Sequence, residues 1–356
     1  MCSLSLAQHT AHMPDLQLAL TNLRAALGDF LDRNREDGVF HVQIGGPGSV
    51  LGLQNLDVPE LHVDLVPGTI TAPQEQALQS LGYRPQGLHW HNPAGWRLVL
   101  VDETTSWRAD QHALSALLTA DPEAAAEYAQ VFRRDGREAA DTVFRERATV
   151  HHARTIGFQR ARAVAQMLAP LDWPWMFAGG MALDLHVGAV TRPHEDLDVI
   201  VPRDRQPELQ QHLQHLGWRL DAAVNRQYQP WVPPLNPPSF QVHARHPDLR
   251  EVVMLDLMLT DLSDGQWRYR RNPDITLPLE EARQFGPQEL PYLTPEAALL
   301  FKAGQVGSPI RLKDQRDFVR LRPHLTAAQQ GWLKARLETS VPGHPWIAQL
   351  NASSGR

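Results

Sequence analysis

A chain of 356 residues exceeds one average domain, so two compact units, each with a core of its own, are expected. With 34 basic against 40 acidic residues the formal charge is -6, which argues against a general electrostatic grip on nucleic acid or on an anionic membrane. Cys2 alone cannot form an intrachain disulfide or a cysteine-based zinc cluster, and no window approaches the roughly 20 apolar residues of a membrane span, so a cytoplasmic protein without a membrane partner is expected.

Leu16, Leu18, Leu20, Leu23, Leu27, Phe30 and Leu31 recur at mostly helical spacing and predict an amphipathic helix over about 14 to 34. A strand over Val39 to Ile44, a turn through Gly45, Gly46 and Gly48, and a second strand over Glu60 to Val66 follow. Next come a helix near 73 to 81, a strand over Trp96 to Val101, and several helices from Ser106, broken near Asp121-Pro122 and Asp135-Gly136.

From about residue 151 the plan repeats. It runs through a helix near 152 to 169, a short strand Trp175 to Ala178, the pair Gly179-Gly180, a helix Met181 to Val187, a strand Leu197 to Val201 and a helix near 206 to 215. Five prolines between Gln229 and Pro238 predict an irregular loop, and Phe240 to Ala244 with Glu251 to Leu259 predict a hairpin. Beyond Thr294 the apolar spacing is helical, giving a C-terminal helical part. The fold class expected is α/β (α+β), with units at 1–150 and 151–356, each a small mixed sheet flanked by helices.

The chemistry concentrates between Phe177 and Val201. Paired glycines ahead of a helix let backbone N–H groups approach an anion, and the positive helix end favours phosphate. Asp196 and Asp198, two apart on a strand, project from one face with Cα atoms roughly 7 Å apart, a spacing suited to magnesium. Asp256 interrupts the apolar run Val252 to Leu259, where an isolated carboxylate would be costly to bury. On a strand beside Leu197 to Val201 it would complete a triad, as metal ligand or as base. Each feature alone has a plainer explanation: a tight turn, a solvated strand edge, or an Asp256 ion pair with Arg245 or Arg250. Their order along the chain is what a phosphoryl-transfer site requires.

Gly-Gly-Met-Ala-Leu-Asp-Leu from Gly179, then Val-Gly-Ala-Val-Thr-Arg-Pro-His-Glu-Asp-Leu-Asp ending at Asp198, resembles the signature of the aminoglycoside adenylyltransferase group of nucleotidyltransferases, which has lincosamide-modifying relatives. The resemblance continues through Asp256, Trp267-Arg-Tyr-Arg-Arg, Pro291 to Lys302 and Lys313 to Phe318, covering roughly 155 to 340. It implies that Gly179 and Gly180 meet the triphosphate of ATP or another nucleoside triphosphate, that Asp196 and Asp198 bind magnesium, and that Asp256 fills the third acidic slot. Thr191 and Arg192 would lie on the turn feeding the metal strand, Arg192 touching phosphate or locking the turn through a carboxylate. Lys302 and Lys313 would be the helical cations for phosphate, against the commoner fate of a solvated lysine.

Gln43 to Val63, with Trp107 to Tyr128, resembles an eroded GrpB pattern, itself of nucleotidyltransferase-like fold. Its glycine-serine pair stands here as Gly46-Pro47, its lysine as Leu56 and its acidic pair as Glu60 with His62. Proline donates no N–H and histidine is an unusual magnesium ligand, so this unit is expected to scaffold or regulate. The whole then implies tandem nucleotidyltransferase-like domains transferring a nucleotidyl group to a hydroxyl of a small polar acceptor, possible aminoglycosides included. A non-catalytic nucleotide-binding regulator and an antitoxin-like enzyme that modifies a protein are the rival expectations; the charge speaks against a strand-binding polymerase.

Overall fold

The computed structural model describes residues 18–19, 21–23, 25, 42–64, 72–86, 89–92, 96–101, 107–224, 227–246 and 254–351. The chain forms two compact units, Met1–Ala148 and Thr149–Arg356. The expected opening helix and Arg250 lie wholly or largely outside the described residues.

In the first unit, β1 (Val42–Gly45), β2 (Glu60–Asp64), α1 (Ala72–Ser80), β3 (Arg84–Gln86), β4 (His89–His91) and β5 (Arg97–Val101) are followed by α2 (Trp107–Ala120), α3 (Pro122–Asp135) and α4 (Arg137–Thr155). Among the described residues the strands form one sheet in the order β1-β2-β5-β4-β3, with only β2 and β5 parallel. Leu61, Val63, Leu78, Trp90 and Leu98 build its core, while Leu114, Leu117, Tyr128 and Phe144 pack the helices together. The break between α2 and α3 has a local cause. Asp121 accepts the Ala124 N–H at 2.9 Å as N-cap, and Pro122 occupies the first turn, where no donor is needed.

The second unit contains α5 (Gln159–Leu168), β6 (Met176–Phe177), α6 (Gly179–Val187), β7 (Leu197–Pro202), α7 (Gln206–His215), β8 (Arg219–Val224), β9 (Gln227–Pro230), β10 (Gln241–Arg245) and β11 (Leu255–Thr260). β12 (Gln266–Arg268), β13 (Thr276–Pro278), β14 (Arg283–Phe285) and β15 (Pro291–Leu293) lead into α8 (Pro295–Lys302), α9 (Leu312–Leu321), α10 (Ala327–Ser340) and α11 (Pro345–Asn351). The described strands give a sheet in the order β14-β15-β6-β7-β11-β10-β8-β9, with β12 and β13 paired separately. Every residue of β11 is buried, as the continuous apolar run requires of a central strand covered on both faces.

Two expectations change. The helix placed near 152 to 169 is two helices, because Gly157 adopts a positive φ of 48° between them. The proline-rich loop begins as strand β9, whose Pro230 sits at its end on the sheet edge, where a missing N–H breaks no ladder.

The two sheets are wired alike. β6-β7-β11-β10-β8 repeats β1-β2-β5-β4-β3 in strand order and in the succession antiparallel, parallel, antiparallel, antiparallel.

Candidate active site

β6 ends in a corner that only glycine fits. Gly179 has a φ of 55°, and a Cβ there would overlap the Asp198 carboxylate. The same residue opens α6, whose N-cap Ala178 offers no side-chain acceptor, so the first-turn N–H groups lack a side-chain cap. β7 then carries Asp198, and its parallel pairing with β11 sets Asp256 directly beside it. Asp196 lies two residues earlier, just ahead of β7, close enough for its charge to be felt at Asp198. Asp256 is only 6 % exposed; Gln241 Nε2 donates to its Oδ2 at 2.6 Å, and His243 Nε2 lies 3.9 Å from Oδ1.

Crowding of these carboxylates has an electrostatic consequence. Burial, then the charges of Asp196 and Asp256, push the Asp198 carboxyl up to about 8, against the opposing pull of Lys302 and Arg270. Oxygen donors under such repulsion suit a hard divalent cation. Among the described residues no group of three or more His, Cys, Asp or Glu side chains is already gathered to hold a metal ion. The fit is therefore one of charge and donor type.

The remaining predicted residues surround this centre. Gly180 lets Arg192 and His194 approach, since a Cβ there would stand 2.5 Å from Arg192 Nη2 and 2.6 Å from His194 Cε1. Thr191 gives both its N–H and its hydroxyl to Asp184, which also accepts from His194 Nε2 at 2.7 Å. Arg192 grips both oxygens of Asp317 at 3.2 Å, the turn-locking arrangement. Lys302 is buried between Asp314 at 3.0 Å and Asp317 at 2.9 Å, engaged in ion pairs within the fold. Lys313 is half-buried; burial and then Arg311 push its ammonium below the usual lysine range while nearby Asp196 pulls it up.

Sequence reasoning missed Asp184, Asp314, Asp317, Arg270 and Gln241. The first four lie inside the quoted motifs; for the three aspartates the signal was a polar residue within a helix whose neighbours are buried, while Arg270 lies in the turn after β12. Gln241 had none, because it matters only through the β10–β11 pairing.

The first unit shows what became of the equivalent positions. Gly46, like Gly179, has a positive φ, of 60°, and a Cβ on it would stand 3.1 Å from Glu60 Oε1, as one on Gly179 would overlap Asp198. With the strands in register, Glu60 thus stands in the place of Asp198, and Arg97, paired with Glu60, in that of Asp256. Glu60 is 1 % exposed and enclosed by His62 Nε2 at 2.5 Å, Arg137 Nη1 at 2.5 Å and Arg97 Nη1 at 3.3 Å. Burial alone would raise it, but hydrogen bonds from His62 and Arg137 hold it well below the usual carboxylate range. Arg97 also grips Asp57 at 2.7 and 3.1 Å, and Arg137 reaches Gln111 at 3.0 Å.

Residues 161–229 match the Aminoglycoside-2''-adenylyltransferase family, a segment that contains the glycine corner, Asp196 and Asp198. A 2''-aminoglycoside nucleotidyltransferase of Klebsiella pneumoniae is 38% identical over 65 residues, 17% of this chain and 37% of that protein. The chain thus matches little more than a third of that relative's length. Among solved structures, the lincomycin-bound lincosamide antibiotic adenylyltransferase LnuA is 18% identical and aligns over 47% of this chain and 97% of its own, with a TM-score of 0.36. The antibiotic-resistance factor ANT(2'')-Ia is 17% identical over 56% of this chain and 98% of its own, also with a TM-score of 0.36.

Proposed function

We propose that the second unit is a nucleotidyltransferase that moves a nucleotidyl group, adenylyl in the first instance, from a nucleoside triphosphate to a hydroxyl of a small acceptor. The observation that carries this reading is the alignment of Asp198 beside Asp256, against the corner at Gly179 and the start of α6. The glycine corner and the first-turn N–H groups receive phosphate oxygens. Asp196 and Asp198 hold magnesium, which when bound supplies neutralising charge at the reacting phosphate. Asp256 lies across β7 from the glycine corner, where it accepts the proton of the attacking hydroxyl. The acceptor oxygen bonds to the α-phosphorus, the bond to the bridging oxygen breaks, and pyrophosphate leaves. Lys313, close to Asp196, contributes positive charge toward the phosphates, whereas Thr191, Arg192 and Lys302 shape the site through Asp184, Asp314 and Asp317.

The first unit is proposed as a GrpB-like scaffold without activity of its own. Its retained carboxylate is already neutralised by Arg137, Arg97 and His62. The matched relatives make aminoglycosides one acceptor class to try, in a cytoplasmic setting.

The test is incubation of purified protein with magnesium, each labelled triphosphate and a panel of hydroxyl compounds that includes aminoglycosides, with adducts read by mass spectrometry. A product heavier by one nucleoside monophosphate is expected, and lost in Asp198→Asn. Transfer that survives Asp198→Asn would overturn the assignment.

A further inference from the structure

A cleft of about 410 Å³ opens in the second unit where β7 and β11 end, within the size range of small-molecule sites. Pro237, Phe240, Leu262 and Pro273 supply apolar wall, and Arg203, Arg268 and Arg270 supply charge. In the sheet order the glycine corner follows β6 on one side of β7, while Phe240, just ahead of β10, lies on the other side, beyond β11. The carboxylates lie toward the other ends of these strands, and Phe240 and Leu259 alternate to the face opposite Gln241 and Asp256, so the cleft is a site beside the carboxylate centre and not within it.

Its charged groups are not equivalent. Arg203 donates to the carbonyl oxygens of Leu235 at 3.0 Å and Leu259 at 2.9 Å, lying over the Phe240 ring at 4.7 Å. Arg268 pairs with Asp261 at 3.2 Å, and Asp261 also accepts from Ser263. Asp204 stands at the rim, largely exposed. Arg270 lies between the Phe240 and Phe301 rings, 5.9 and 5.4 Å from their centroids, and its buried Nη1 has no hydrogen-bond partner among the described residues. A buried N–H without an acceptor leaves the guanidinium short of compensating charge, and the same residue lines the cleft, where an anion would supply it. Arg270 is also close enough to Asp256 and Asp198 for their charges to be felt at its guanidinium, which ties the cleft to the carboxylate centre.

We infer that this cleft is a ligand site of its own and that it takes a compound with a planar or apolar ring and an anionic group directed at Arg270, in preference to a polycation. The ring lies against Phe240 and the apolar wall; the anion pairs with the Arg270 guanidinium. An ammonium at the same place would meet Arg270 as a like charge. Neither the pocket nor its charge preference rests on the transferase reading.

Three probes that share ring and hydroxyl but differ in charge test it: 4-hydroxybenzoate, 4-hydroxybenzamide and 4-hydroxybenzylamine. Binding to the intact protein by calorimetry or ligand-observed NMR is expected to rank anion over neutral over cation, with about a tenfold span between the extremes. Arg270→Gln should flatten the ranking, whereas Arg270→Lys should keep its direction. Equal or stronger binding of the amine, no binding of any probe, or a ranking indifferent to Arg270→Gln would each overturn the inference. Asp198→Asn separates the two readings. If only the transferase assignment fails, Asp198-dependent transfer is absent and the charge ranking persists; if only the pocket assignment fails, Asp198-dependent transfer persists and the ranking is absent.

Discussion

Single residues decide whether the carboxylate centre can exist. At Gly179 the positive φ and the contact with Asp198 leave no room for a methyl group, so Gly179→Ala should cost about 1–3 kcal/mol and displace Asp198. Transfer should fall about a hundredfold or more while circular dichroism stays native. Glu60 makes a pH prediction. A carboxylate whose folded value lies below its ordinary 4.5 contributes stability that is complete above that value and is lost as pH falls toward the folded one. In denaturant unfolding of the intact chain, the gap between wild type and Glu60→Gln should hold steady from about pH 7 to 5 and narrow below about 4.5; a gap unchanged to about pH 3 would contradict the depressed value. Gly179, Asp196, Asp198 and Asp256 were legible because glycine corners and buried acids break local patterns. The engagement of Lys302 and Arg192 was not, since their partner Asp317 lies 15 and 125 positions away, on α9.

Elements are held in place around the site by ions more than by apolar contact alone. Asp317, fully buried on α9, gathers Lys302 from α8, Arg192 from the loop before β7, and Arg320 from its own helix. Removing it in Asp317→Ala takes the carboxylate from Arg192 and leaves Lys302 with Asp314 and Arg320 with Asp184, and should cost about 3–5 kcal/mol by chemical denaturation. Lys302→Met leaves Asp314 with Arg311 and Asp317 with two arginines, so its stability loss should be smaller, but transfer should drop because the lysine charge is felt at Asp198. Equal losses for the two variants would deny Asp317 its central place. Helices α2, α3 and α6 to α9 were readable from apolar spacing, caps and glycines. Strands β3, β4, β8 and β12 to β15 were not, being short or of mixed polarity, so that only pairing with neighbours makes them strands.

At the scale of the molecule, two units share one strand wiring and differ in what occupies its centre. Arg137→Met should destabilise the first unit yet leave kcat and KM of transfer unchanged below its unfolding temperature, whereas Asp198→Asn should do the reverse. A fall in kcat for folded Arg137→Met would give the first unit a part in the reaction. Identical wiring also creates a hazard during synthesis, because repeated modules in one polypeptide can trade strands and trap a misassembled chain. Divergence of the polar centres acts against that exchange. Were β2 to take the seat of β7, Glu60 would lie beside Asp256 instead of Arg97, and carboxylate would meet carboxylate in a buried setting. The salt cluster of the first unit would thus work as a key that fits one lock, sorting each strand into its own half of the nascent protein.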